Sequence, residues 1–139
     1  MNYSDTFIKV APDCPAQTAI VSQARGAKPT LALIHFQLIG SAPYAYTHDD
    51  VLWLGHARHK ELKADEATLE ARAAFFSKPQ PCLRTSALAK SFGWSLHFNA
   101  EGKVALYPVQ SEEYRRFASG DESRLKVIHA MRNRRTGAG

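Results

Sequence analysis

The chain has 139 residues, 45% apolar and 22% charged, a length and balance that suit one globular domain and exclude a disordered chain. Two cysteines, Cys14 and Cys82, are too few for a disulfide framework, and a domain of this size folds without one. The net charge of +5 and pI near 9.4 favour encounters with polyanions but say nothing about fold.

In chain order, residues 6–10 combine β-branched and aromatic side chains and stop at Pro12, which predicts a short first strand. Prolines, glycine and small residues make 13–29 a loop, with one irregular turn around 16–23. Residues 30–39 alternate, with Ala32, Ile34, Phe36 and Leu38 on one face and Leu31, Leu33, His35 and Gln37 on the other. That pattern predicts a second strand.

Thr47 followed by Asp50 resembles a capping box and opens a helix to about residue 62, with Val51 and Leu54 inward. A second helix follows from Asp65, with Leu69, Ala73 and Phe76 at helical spacing, and ends at the Pro79–Pro81 segment. Ser86 caps a short turn to Lys90. Residues 94–98 and 103–107 flank a turn containing Gly102, a hairpin with Trp94, Leu96 and Phe98 toward the core and Ser95 and His97 opposite. Helices are expected from Ser111 to about Gly120 and from about Glu122 to Arg134, the latter with Leu125, Ile128 and Met131 inward. Residues 136–139 fray. The class is α+β: a single domain over 1–139, with a mainly antiparallel sheet and helices packed on one face.

The longest apolar run, Leu31 to Ile34, is far short of the roughly 20 residues of a membrane span. The first residues lack a basic region followed by an apolar core, so a cytoplasmic protein with no membrane partner is expected.

Several blocks together carry a family resemblance: TFIKVAPDCP at 6–15, PYAYTHDDVL at 43–52, FFSKPQPCLR at 75–84, FGWSLHF at 92–98, GKVALY at 102–107 and EEYRR at 112–116. The chain resembles a family of small, mostly microbial proteins catalogued as domain of unknown function 6157, over nearly its whole length. In that pattern Ser95 is often glycine and His56 and His59 have no counterpart. The resemblance implies no activity.

Candidate chemistry rests on few residues. His97 and His35 fall on the less apolar faces of expected strands, where Lys9, Gln37 and Tyr107 share parity. A histidine there could act as general base, or the face could simply tolerate polar groups. Cys82, close to Arg84 and to the turn at Ser86, is better placed than Cys14 to become a thiolate, although free cysteines usually just pack.

His48, His56 and His59 lie along one helix without further ligands at familiar spacing and read as a solvated face, so no metal is expected. No phosphate loop or nucleophile elbow is present, and no cofactor is implied.

Two functions follow. One is a small-molecule binding protein or enzyme with a polar cleft near residues 81–84 and the 94–107 hairpin, its candidate residues His97, Cys82 and Arg84. The other is a module binding nucleic acid or an acidic protein through basic C-terminal helices carrying Arg115, Arg116, Arg124, Lys126, Arg132, Arg134 and Arg135. Whether the protein is an enzyme, and its oligomeric state, are not legible.

Overall fold

A computed structural model describes residues 2–21 and 28–133. Its sheet has four strands in the order β3-β2-β1-β4: β1 is Thr6–Lys9, β2 Trp94–Phe98, β3 Val104–Pro108 and β4 Lys126–His129. The β1–β2 and β2–β3 pairs are antiparallel and β1–β4 is parallel. The class is therefore α+β on a mainly antiparallel sheet, as the mixed order of elements implies. No helix among the described residues is long and apolar enough to cross a membrane.

The hairpin forms where its turn chemistry directs. Asn99 Oδ1 accepts the amides of Glu101 and Lys103, and Gly102 sits at φ 78°, where a Cβ would come within 2.8 Å of the Tyr3 carbonyl oxygen. In register, Phe7 lies opposite His97 and Ile8 opposite Leu96. Strand alternation thus sends Ile8, Leu96 and Phe98 to one face and Phe7 and His97 to the other.

The first face carries the main core. Ile8, Leu96, Phe98 and Val104 pack there with Ile39, Val51, Leu83 and Ala89. These come from three helices and a short connection: α1 (Leu31–Ser41), α2 (His48–His59), a single 3-10 turn at Leu83–Thr85, and α4 (Ala87–Lys90). Burying each large apolar side chain contributes roughly 1.5–3 kcal/mol. The second face is covered by α5 (Glu112–Ala118), whose Phe117 and Tyr114 rings meet Phe7 at 5.3 and 5.4 Å. Helices therefore flank both faces rather than the one expected, because Phe7, His97 and Tyr107 together offer an aromatic surface that α5 can cover.

Two expected elements change identity. Residues 30–39 are not a strand but α1. Thr30 adopts extended backbone and its hydroxyl accepts the Leu33 amide, a helix N-cap, and the residues then buried are Ile34, His35, Leu38 and Ile39. Apolar side chains on nearly every side satisfy an alternating pattern as readily as a helical one. The stretch expected to be a C-terminal helix holds β4, whose Lys126, Val127, Ile128 and His129 pair with Thr6 to Lys9. The β-branched pair Val127–Ile128 fills the remaining edge of β1, and Met131, expected inward, is 48% exposed. The paired basic helices proposed at the C-terminus are thus reduced to α5 alone. Arg134, Arg135 and the expected fraying at 136–139 lie outside the described residues, as do residues 22 and 23 of the turn expected at 16–23.

The helix at 48–59 forms as expected, with a reciprocal capping box: the Thr47 hydroxyl accepts the Asp50 amide and the Asp50 carboxylate accepts the Thr47 amide. The helix expected from Asp65 begins at Leu69, capped by Thr68, and is α3 (Leu69–Phe76). It buries no residue fully, and Leu69, expected inward, is 86% exposed. Its attachment runs through Arg72, which pairs with Asp50 at 3.0 Å, and through Phe75 against Trp53 and His56.

Candidate functional site

The three candidate residues do not form one cleft. His97 lies on the α5 face, its ring stacked on Phe117 with centroids 4.1 Å apart and planes 14° from parallel. Cys82 immediately precedes Leu83, which belongs to the core on the opposite face. Arg84 bridges to the sheet edge, its Nε donating to the His129 carbonyl at 3.0 Å while its own carbonyl accepts the Met131 amide. The sheet therefore separates His97 from Cys82.

Around His97 the structure builds a small hydrogen-bonded group. Tyr44, held at φ 59°, places its hydroxyl 2.9 Å from His97 Nδ1 and 2.8 Å from the Tyr107 hydroxyl. Burial, with the bond to Tyr107, raises the Tyr44 pKa, so its phenol stays protonated. Burial also lowers the His97 pKa; Glu122 and Asp5 oppose that shift and Arg116 adds to it. Phe117 covers the imidazole. Tyr107 shares the face with His97, as parity implied, and Phe117 packs against both rings.

The cavity lies on the other side of the sheet. It has a volume of about 330 Å³, within the lower range of small-molecule sites. Helix α1 contributes Leu31, Ala32 and His35; α2 contributes Leu52, His56 and His59; α3 contributes Phe75. The connection from Gln80 closes it with Cys82, Leu83, Thr85 and Ala87 among its walls. Phe75 and His56 stand as a pair, ring centroids 4.5 Å apart, with Trp53 behind both. Cys82 also meets the Tyr3 hydroxyl: burial first, then the bond to Cys82, pushes the Tyr3 pKa up to about 12.

His35 is the unusual member. It is 4% exposed, and neither ring nitrogen has a hydrogen-bond partner. Its Nε2–Cδ2 edge lies against α2 at Gly55, where a Cβ would approach Nε2 to 2.6 Å and Cδ2 to 2.7 Å. Burial, with smaller contributions from His48 and His59, lowers the His35 pKa to about 4, so the ring is neutral near pH 7. Buried polar groups are normally paired, and an unpaired one costs roughly 1–3 kcal/mol.

Of the residues singled out from the sequence, Cys82, His35, His56 and His59 share this cavity, while His97 and Arg84 stand outside its lining. The histidines of α2 do not form one solvated face: His48 is 2% exposed and its Nε2 accepts the Leu83 amide at 3.0 Å. Phe75 and Ala32 could not have been paired with Cys82 by spacing. Gly55 was the available signal, since an isolated glycine inside a helical pattern marks close approach of a neighbour. Among the described residues no group of three or more His, Cys, Asp or Glu side chains could hold a metal ion.

A family model described as "Family of unknown function (DUF6157)" matches residues 1–136. Comparison with curated proteins and with solved structures gives no match.

Proposed function

The chain belongs to the family of unknown function DUF6157, which brings no reaction with it, and from the geometry we propose that this protein binds a small molecule in the cavity between α1, α2, α3 and the Gln80–Ala87 connection. The observation that carries the reading is a largely apolar cavity of about 330 Å³ with a buried, unpartnered imidazole in its wall. Apolar walls supply affinity, and a few polar groups fix orientation. Cys82, alone among the three residues first singled out, contacts such a ligand. Binding is the function proposed; no reaction is assigned to the site. We also propose a cytoplasmic location, a reading that the unpaired thiols of Cys14 and Cys82 support.

Titration with a fragment library, followed by backbone amide shifts, tests this. Binding should perturb Ala32, Leu52, Phe75 and Thr85 together, and Ala32→Phe should abolish the response. Shifts confined to the α5 face or to β4 would overturn the assignment.

A further inference from the structure

The cavity walls carry a chemical signature beyond their shape. Among the described residues that line it there is no aspartate, glutamate, lysine or arginine. Its titratable side chains are three histidines and Cys82. Of the histidines, His35 is neutral near pH 7, and His56 is shifted the same way by burial, with Lys60 and His59 adding to the effect. A ligand carrying a net charge would leave water without a countercharge in the wall, which is costly in a low-dielectric site.

Thr85, Ser86 and Gln80 of the connecting segment each already make a hydrogen bond to the backbone. Thr85 Oγ1 donates to the Cys82 carbonyl at 2.7 Å, Ser86 Oγ accepts the Leu88 amide, and Gln80 Nε2 donates to the Phe75 carbonyl at 2.7 Å. His35 differs, with both ring nitrogens unpaired. Because its Nε2–Cδ2 edge is pressed to Gly55, Nδ1 occupies the opposite vertex of the ring, away from α2. The adjoining wall is aromatic, formed by Phe75 and His56 with planes 36° apart. Flat rings recognise flat rings through offset or edge contacts, which add to plain burial of area.

Resting on the binding site proposed above, we infer that its ligand is an uncharged aromatic molecule of one or two rings, packed against Phe75 and His56, whose single hydrogen-bonding group pairs with His35 Nδ1. Neutral imidazole can donate or accept at Nδ1 according to tautomer, so a hydroxyl satisfies either state. Both ring nitrogens are buried, so the wall beside Nδ1 must part for the ligand to reach it.

Four one-ring probes separate the elements of this inference: phenol, toluene, benzoate and benzylamine. Their affinities are measured by protein NMR near pH 7, with the ¹⁵N shifts of the His35 imidazole assigned by comparison with His35→Leu. Phenol should bind about tenfold more tightly than toluene, the difference expected of one hydrogen bond to a buried polar group, and should move the His35 nitrogen resonances. Benzoate and benzylamine should bind more weakly than either. Ala32→Phe and Ala87→Phe each fill the cavity from a different element and should abolish phenol binding; whichever keeps the wild-type urea midpoint serves as the control.

If benzoate or benzylamine matches phenol, and that binding is lost in the filled variants, the site stands and the inference of an uncharged ligand is overturned. Phenol binding without a change at His35 overturns the role of the imidazole. Failure of all four probes to bind the cavity overturns the inference together with the binding site itself.

Discussion

The backbone of Gly55 in α2 lies so close to the His35 imidazole of α1 that a Cβ at position 55 would stand 2.6 Å from Nε2. The two helices meet through this contact, and the ring it confines also lines the cavity. Alanine in a helix interior is ordinarily favoured over glycine by about 1 kcal/mol. Here Gly55→Ala should instead destabilise by about 1–2 kcal/mol, because overpacking a fixed ring outweighs the propensity gain. In a His35→Ala background the same substitution should become neutral or stabilising. Urea midpoints for the four proteins check this, and equal effects in both backgrounds would refute the steric coupling.

His35 also predicts a pH response. Its folded pKa of about 4 lies below the ordinary value of 6.5. Between these values the unfolded chain holds a proton that the folded chain does not. The His35 contribution to stability should therefore fall as pH drops from 6.5 to about 4 and level off below, with an amplitude of about 3 kcal/mol. Denaturation curves across that range should show the slope in the wild type and a smaller one in His35→Leu, where His56 and His97, also lowered, still contribute.

The capping box of α2 governs a separate, more acidic window. Burial tends to raise the Asp50 pKa, but the hydrogen bonds from Thr47 and the pairing with Arg72 together outweigh it and leave the carboxyl below its ordinary 3.8. A carboxylate favoured in the folded state contributes stability above 3.8 that is lost as pH falls through the lower folded value. Thr47→Ala should cost about 1 kcal/mol at neutral pH and diminish this acid-range loss. Asp50→Asn should remove it.

On the α5 face, Tyr44→Phe deletes one hydroxyl but strands two partners, His97 Nδ1 and the Tyr107 hydroxyl. A loss of about 1–2 kcal/mol in urea unfolding is expected, larger than for Tyr107→Phe, after which the Tyr44 hydroxyl still bonds His97 Nδ1. Phenol binding at the cavity should be unchanged in both variants, because the sheet lies between the two sites. A binding defect in Tyr44→Phe would show that the faces are coupled.

By itself the sequence determined those elements whose signals are local. The hairpin around Gly102, the capping box at Thr47 and Asp50, the short turn after Ser86 and the helix after Ser111 depend on hydrogen bonds within a few residues, and all occur where those residues direct. Alternation along Trp94–Phe98 likewise placed His97 opposite Leu96 and Phe98. Tertiary structure decided the rest. Residues 31–41 could bury apolar side chains as strand or helix, and packing against α2 at Gly55 selected the helix. Lys126–His129 has too few residues to hold a structure alone and became a strand because β1 offered an unpaired edge. The cavity belongs wholly to this second level: His35, His56, Phe75 and Cys82 come from separate segments, and only packing brings them to one wall. Chain-local hydrogen bonds can be read along a sequence, whereas competition among distant apolar surfaces is settled only when they meet.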